Sequence, residues 1–206
     1  MIKYEYLIKT INIKNDSVSV NSDVWDSVEQ GTVACETWKG FAKAPKTDFR
    51  IIRVDGGFFV KLHTEECDLR AEVTVQNGDI YQDSCMELFL SPDSADGRYL
   101  NFEFNPKGIL HLGIGEGRPD RLLIDATREI FKIESVANDG DWSLLFYIPD
   151  EFLLKYFAEI SNRMMGNFYK CGELTGHSHF SSWAPIDTDR PDFHRPEFFG
   201  SLVVSE

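Results

Sequence analysis

The chain has 206 residues, 42% of them hydrophobic and 13% aromatic, so it can bury a core and is not intrinsically disordered. Its net charge of −13 argues against nucleic acid or an anionic membrane as a partner, because phosphate binding requires clustered Lys and Arg side chains. Neither an apolar run of the roughly 20 residues that span a membrane nor a signal peptide is visible. We therefore expect a cytoplasmic protein for the chain as given, and an extracellular one if a leader has been removed.

The first half of the chain carries strand and turn patterns. Short β-prone segments occupy residues 4–13 and 17–20. Two alternating apolar runs then flank 55–57, Asp-Gly-Gly, which predicts a hairpin because Gly adopts the positive φ of tight turns. The strand-like MELFL at 86–90 is followed by YLNFEF at 99–104, in which polar residues alternate with phenylalanines. This alternation predicts a strand with one face on the core.

The second half adds another hairpin and a helix. Residues 130–137 and 142–148 flank the turn 138–140, Asn-Asp-Gly. Pro149 then opens a predicted short helix over 150–160. Many short strands and one helix predict an all-β fold, an antiparallel β-sandwich of jelly-roll-like or immunoglobulin-like type. We interpret residues 1–206 as a single domain.

The residues that could carry chemistry form weak patterns. Asp83, Glu87 and Glu103 could supply the two carboxylates of a glycosidase, but 34 acidic residues make such combinations common. His177 and His179 form a His-x-His pair without a third zinc ligand at a recognisable spacing. The acidic turns 91–97 and 187–192 offer oxygen ligands for a structural calcium ion, although neither follows the EF-hand pattern.

The four cysteines, Cys35, Cys67, Cys85 and Cys171, are scattered and contain no C-x-x-C pair. Cys85 alternates within a predicted strand and is expected to be a small core residue. Nothing in the spacing requires a disulfide.

Aromatic and carboxylate side chains near one another are typical of sugar sites. The apolar face of a pyranose stacks on an aromatic ring, and its hydroxyls bond to a few fixed polar groups. Tyr81 precedes the strand that carries Glu87, and Trp183 lies in SSWAPI near the end of the chain. A carboxylate can accept from two neighbouring hydroxyls, and charge-assisted bonds are the stronger kind.

Several motifs agree, in order, with one family. DSCMELFLSP, YLNFEFNPKGILHLGIG, WSLLFYIP, GNFYKCG, HFSSWAPI and PDFHRPEFFGSLVV cover most of the chain from about residue 47 to its end. Together they resemble the family 9 carbohydrate-binding modules and their stand-alone relatives. The first 45 residues match poorly and are interpreted as an N-terminal extension.

The resemblance implies a non-catalytic β-sandwich that clamps a sugar ring between two aromatic side chains. By this resemblance Trp183 is one clamp aromatic, and Tyr81 stands where the family often has Trp, so this platform is smaller. Glu87 corresponds to a glutamate that accepts sugar hydroxyls. Further sugar contacts, whose correspondence to the family's contact positions is looser, are Glu103, Asn101, Asn167 and Lys170. Mono- or oligosaccharides of glucose or xylose type are the expected partners.

Alternatives remain open from the sequence. Glu87 could instead be a buried carboxylate that holds Lys170 or Arg98. The protein could be a glycoside hydrolase that uses Glu87 with Glu103 or Asp83. It could also be a scaffold or ligand-binding module, for example for haem, that has lost sugar binding.

Overall fold

The computed structural model describes residues 4–125 and 128–205. Thirteen strands form one curled sheet over these residues, so the all-β prediction is confirmed. The strands are β1 (Glu5–Thr10), β2 (Gly31–Val33), β3 (Lys46–Val54), β4 (Gly57–Glu65), β5 (Cys85–Ser91), β6 (Tyr99–Phe104), β7 (Leu110–Gly115), β8 (Leu122–Leu123), β9 (Glu134–Ala137), β10 (Trp142–Pro149), β11 (Arg163–Gly172), β12 (His179–Ser182) and β13 (Gly200–Val204).

Helical structure is shorter than predicted. The helix expected over 150–160 is the four-residue α1 (Asp150–Leu153), after which the chain continues in turns. The 3-10 turns of the described chain are Asp23–Ser27, Ile80–Gln82 and Pro196–Phe198. Within the described residues, no helix has both the length and the apolar character needed to cross a membrane.

Both predicted hairpins form where glycine permits the turn. β3 and β4 pair antiparallel up to Val54 and Gly57, with Gly56 at φ 75°. β9 and β10 pair antiparallel across a turn in which Gly140 has φ 107°. The turns therefore set the register of these two strand pairs, as the sequence indicates.

The strand order is β8-β7-β6-β5-β11-β13-β1-β3-β4-β10-β9, with β12 beside β11 and β2 beside β3. The expectation of a purely antiparallel sheet is wrong at β1, which runs parallel to both of its neighbours. Residues 5–8 pair with β13, whereas residues 9–10 pair with β3. The N-terminal segment thus joins the part of the sheet from β8 to β13 (the first half-sheet) to the part from β3 to β9 (the second half-sheet).

The main core lies between the two half-sheets. Phe104 on β6 contacts Phe146 on β10 with ring centroids 4.7 Å apart. Phe49 on β3 stacks on Phe168 of β11 at 3.6 Å. These contacts join strands that are distant in the strand order, so the curled sheet closes over a shared apolar interior.

A second apolar cluster covers the opposite face of the first half-sheet, which we call the outer face. It includes Phe89 of β5, Tyr99 of β6 and Tyr169 of β11. Trp38 and Phe193 reach it from irregular segments. Because these segments cover β6, all of its residues are buried, and the polar face that the alternation predicted is buried together with the aromatic one.

Candidate functional site

A row of polar side chains crosses the outer face of the first half-sheet. In register, Tyr169 of β11 lies opposite Glu87 of β5, Glu87 lies opposite Glu103 of β6, and Glu103 lies opposite His111 of β7. Directly opposed residues of antiparallel strands place their side chains on the same face. We call Glu87, Glu103 and His111, with Asn101 beside them on β6, the polar row.

Glu87 is held by two thiols, and no cationic side chain of the described residues pairs with it. Its Oε1 accepts from Cys171 Sγ at 3.1 Å and from Cys85 Sγ at 3.6 Å. Burial, with the nearby Cys171 thiol and the Glu103 carboxylate, raises the pKa of Glu87 well above its usual range. Among the described residues, no protein donor bonds Oε2.

The alternative in which Glu87 neutralises Lys170 or Arg98 is wrong. Lys170 lies opposite Met86 in the register, so its side chain enters the main core. There its Nζ lies 3.1 Å from Glu66 Oε2 and donates to Cys171 O. Arg98 pairs with Asp96 and donates to the Tyr156 carbonyl.

Asn101 has an unsatisfied acceptor. Its Nδ2 donates to Glu103 Oε1 at 2.8 Å, whereas its buried Oδ1 has no hydrogen-bond partner in the described structure. Gly113 of β7 leaves space at this point, because a Cβ there would come within 2.7 Å of Asn101 Oδ1 and of the Arg121 Cδ. A buried carbonyl oxygen without a donor costs free energy, so this atom is a candidate ligand contact.

Arg121, which the sequence analysis missed, lies between two imidazoles. Its Nη1 donates to His194 Nε2 at 2.5 Å, and its Nη2 donates to His111 Nε2 at 3.3 Å. His194 Nδ1 then carries the proton toward the Tyr99 hydroxyl at 2.8 Å, since Nε2 is an acceptor. Burial and the Arg121 charge lower the pKa of His194 to about 2, so the ring stays neutral in the folded protein.

The predicted clamp residues Trp183 and Tyr81 lie in different surroundings. Trp183 is 7% exposed and lies in the main core, with ring contacts to Tyr4, Phe49 and Phe168. Its indole is therefore covered by protein and is on the other side of the sheet from Glu87. Tyr81 is 39% exposed and lies in the 3-10 turn beside the end of β11.

The polar atoms of Asn167 and Asp83 form hydrogen bonds mainly with backbone groups. Asn167 Oδ1 accepts from Phe168 N and Ala184 N, and its Nδ2 donates to Ala184 O. The oxygens of Asp83 accept from the amides of residues 72 and 73 and from Asn105. Asp83 therefore fixes a loop, and this geometry does not favour its pairing with Glu87 as a catalytic acid.

The candidate metal residues of the sequence are not brought together. His177 is exposed, whereas His179 is buried and bonds Lys170 Nζ at 2.9 Å. In the acidic turns, Asp96 pairs with Arg98 and Asp192 pairs with Arg118. These contacts do not point to zinc at the histidine pair or to calcium at the turns.

Comparison with known proteins identifies the family. A family model described as "Carbohydrate-binding family 9" matches residues 20–204. The chain belongs to this family. The family 9 match begins inside the segment interpreted as an N-terminal extension, and β1 lies outside it.

Solved structures are similar over nearly the whole chain. A protein from Bacteroides uniformis ATCC 8492, provisionally assigned as carbohydrate-binding, is 28% identical with a TM-score of 0.83, and the match covers 98% of this chain and 100% of that one. Two structures of a family 9 module from Caldicellulosiruptor kristjanssonii, with cellotriose and with glucose, have TM-scores of 0.65 and 0.64. They are 12% and 11% identical, and the matches cover 98% of this chain and 93% and 95% of theirs, so they show a shared fold. No curated protein sequence matches the chain.

Proposed function

We propose that this family 9 protein binds mono- or oligosaccharides of glucose or xylose type without chemically changing them. The observation that carries the proposal is the unpaired Asn101 Oδ1 beside Glu103 and Glu87 in the polar row. The family membership supports it, as do the similar modules that hold cellotriose and glucose.

The chemistry of the polar row suits sugar hydroxyls. Glu87 Oε2, the Glu103 carboxylate and Asn101 Oδ1 are acceptors on neighbouring strands, and each can take a hydroxyl hydrogen. A hydrogen bond to a charged acceptor such as Glu103 is worth about 1.5–3 kcal/mol and one to a neutral acceptor such as Asn101 about 0.5–1.5 kcal/mol, so together they would orient a ring. Arg121 supplies donors for a ring or hydroxyl oxygen.

Tyr81 is the aromatic platform of the proposed site. Its ring is partly exposed, and its backbone carbonyl lies 3.8 Å from Cys171 Sγ, next to Glu87. Trp183, Asn167 and Lys170 act in the proposal as supports, because their side chains are enclosed by the core or bonded to the protein. We therefore assign direct contacts to Glu87, Glu103, Asn101 and Tyr81 alone.

Access to the polar row requires Arg121 to move. The side chain is half-buried, and its described hydrogen bonds go to imidazole nitrogens. Among the described residues no carboxylate pairs with Arg121, so a change of rotamer breaks hydrogen bonds to two imidazoles but separates no ion pair. We propose that it swings outward as the sugar enters and then donates to it.

We further propose that the curled sheet is a jelly-roll-like β-sandwich in a single domain. The facing of β6 and β10 across the shared core supports two layers. β1 pairs with β13 of the first half-sheet and with β3 of the second. Because one strand is shared in this way, the two half-sheets are expected to fold as one unit.

Isothermal titration calorimetry against glucose, xylose, cellobiose and xylobiose tests the function. We expect saturable binding, which Glu103→Gln weakens by roughly tenfold or more because a charged acceptor is lost. Tyr81→Ala should weaken it several-fold, from the loss of about 0.5–1.5 kcal/mol of ring contact.

Two surface changes serve as controls. Glu159→Gln removes an exposed carboxylate, and Leu154→Ala removes an exposed apolar side chain, both away from the polar row. Neither should change sugar affinity. Binding that is equally insensitive to Glu103→Gln and Tyr81→Ala would show that the polar row is not the site.

A further inference from the structure

Two buried thiols and one carboxylate meet beneath the exposed turn that carries Tyr81. Cys85 of β5 and Cys171 of β11 are direct partners in the register, and Glu87 lies two residues further along the same face of β5. The Sγ atoms of both cysteines and a Glu87 carboxylate oxygen all lie within 4.8 Å of one another. All three residues are buried.

The spacing of these atoms is close to that of a tetrahedral metal site. With Zn–S bonds of about 2.3 Å and Zn–O bonds of about 2.0–2.2 Å, tetrahedral angles separate sulfur from oxygen by about 3.5 Å and sulfur from sulfur by about 3.8 Å. The observed distances from Glu87 Oε1 are 3.1 Å to Cys171 Sγ and 3.6 Å to Cys85 Sγ. The two sulfur-to-oxygen distances therefore lie within a few tenths of an ångström of the tetrahedral value, and the two sulfur atoms are no more than 4.8 Å apart.

The charge balance of the cluster also favours a cation. In the part of the chain that the structure describes, neither Lys nor Arg forms an ion pair with Glu87 or with the neighbouring Glu103. Lys170, which is adjacent in sequence to Cys171, extends to the opposite side of the sheet and pairs with Glu66. Buried acidic groups are normally paired with a cation or bound to a metal, whereas the described partners of these two are the neutral thiols and the Asn101 amide.

From this geometry we infer that Cys85, Cys171 and Glu87 bind a zinc ion. Thiolates select soft or borderline metals such as Zn²⁺ over Ca²⁺ and Mg²⁺. Binding forms two Zn–S bonds and one Zn–O bond and releases the two thiol protons to solvent, together with that of Glu87 where its carboxyl is protonated. Three protein ligands leave one tetrahedral position for water.

The zinc inference does not rest on the proposed sugar binding, although both would use Glu87. Zinc on Oε1 fixes the carboxylate on the side away from the sugar and leaves Oε2 for a hydroxyl. The 3-10 turn Ile80–Gln82 covers the site, with the Tyr81 carbonyl 3.8 Å from Cys171 Sγ. Metal entry therefore requires this short turn to open, and titrations need time to equilibrate.

Cobalt titration of the reduced, chelator-stripped full chain tests the inference. We expect one Co²⁺ per chain, a thiolate-to-cobalt charge-transfer absorption in the near ultraviolet, and its loss when Zn²⁺ is added. Ca²⁺ should not displace the cobalt. Cys85→Ser and Cys171→Ser should each abolish the absorption, and Glu87→Gln should weaken cobalt binding.

Cys67→Ser is the matched control, because Cys67 is exposed and lies outside the cluster. It should leave the absorption and the stoichiometry unchanged. Should the cysteine variants fail to fold, the comparison of Glu87→Gln with Cys67→Ser still decides. Equal absorption in all variants, or no cobalt binding by the folded wild type, would overturn the zinc site. A Cys85–Cys171 disulfide that forms in the presence of Zn²⁺ would also overturn it.

Calorimetry on the metal-free protein separates the two proposals. Sugar binding without cobalt binding would refute the zinc site alone. Cobalt binding without any sugar response would refute the sugar site and would not affect the inference of a zinc site.

Discussion

The buried imidazole of His194 should make the protein sensitive to acid. The Arg121 guanidinium and burial hold this ring neutral in the folded state, with a pKa of about 2 against an ordinary value of 6.5. As pH falls below 6.5, the unfolded chain binds a proton at this position and the folded chain does not. The free energy of unfolding therefore decreases on acidification and is fully recovered above pH 6.5.

The size of the effect follows from the two pKa values. Below pH 6.5 the unfolded chain binds one proton more than the folded chain, so the free energy of unfolding falls by about 1.36 kcal/mol per pH unit. Over the roughly 1.5 pH units from pH 6.5 to pH 5, the loss at this residue is about 2 kcal/mol. His194→Gln removes the titration while keeping an acceptor for Arg121. Burial also lowers the pKa of His179, to about 4, so the variant should retain part of the acid sensitivity.

Urea unfolding at pH 7 and pH 5 measures this directly. The loss of unfolding free energy between the two pH values should be about 2 kcal/mol smaller in His194→Gln than in the wild type. His177→Gln, at an exposed position, should behave like the wild type. Equal losses in the wild type and His194→Gln would refute the reasoning about a neutral, Arg-bonded imidazole.

Substitutions at three further positions test the core and the polar row. Trp183→Ala should cost about 3–5 kcal/mol of stability, and Trp183→Phe should leave sugar affinity unchanged in calorimetry; a large loss of affinity would restore Trp183 as a sugar contact. Gly113→Ala should displace Arg121, cost about 1–3 kcal/mol in urea unfolding and weaken sugar binding, and wild-type behaviour would contradict the close packing at Asn101. Lys170→Met should cost about 3–5 kcal/mol in the same assay, because it leaves Glu66 buried without its partner, and a neutral outcome would mean that this pair is solvated.

Much of the local structure could be predicted from the sequence. The Asp55-Gly56-Gly57 turn correctly predicted the hairpin of β3 and β4. The alternation in β6 correctly placed Asn101 and Glu103 on one face. Both signals are local in the sequence. The alternation of side chains along a strand also predicts that Asn167 and Lys170 lie on different faces of the sheet. Residues three apart in a strand lie on opposite faces, so these two could not both line one site, and the structure separates them.

The remainder depended on contacts between distant segments. Trp183 is covered partly by Tyr4 of the N-terminal segment, and Gly200 admits its ring because a Cβ there would come within 2.5 Å. His111 joins the polar row only through the register of β6 and β7. Arg121 lies in an irregular stretch without periodicity, so no sequence pattern pointed to its place beside His111.

Backbone amide chemical shifts during a titration with glucose, and then cellobiose, test the central claim most directly. If the polar row binds the sugar, the largest changes will fall on residues 81–89, 101–103 and 111–121. Changes confined to other surfaces, such as the cavity of about 310 Å³ beside Glu66 and His179, would contradict the account.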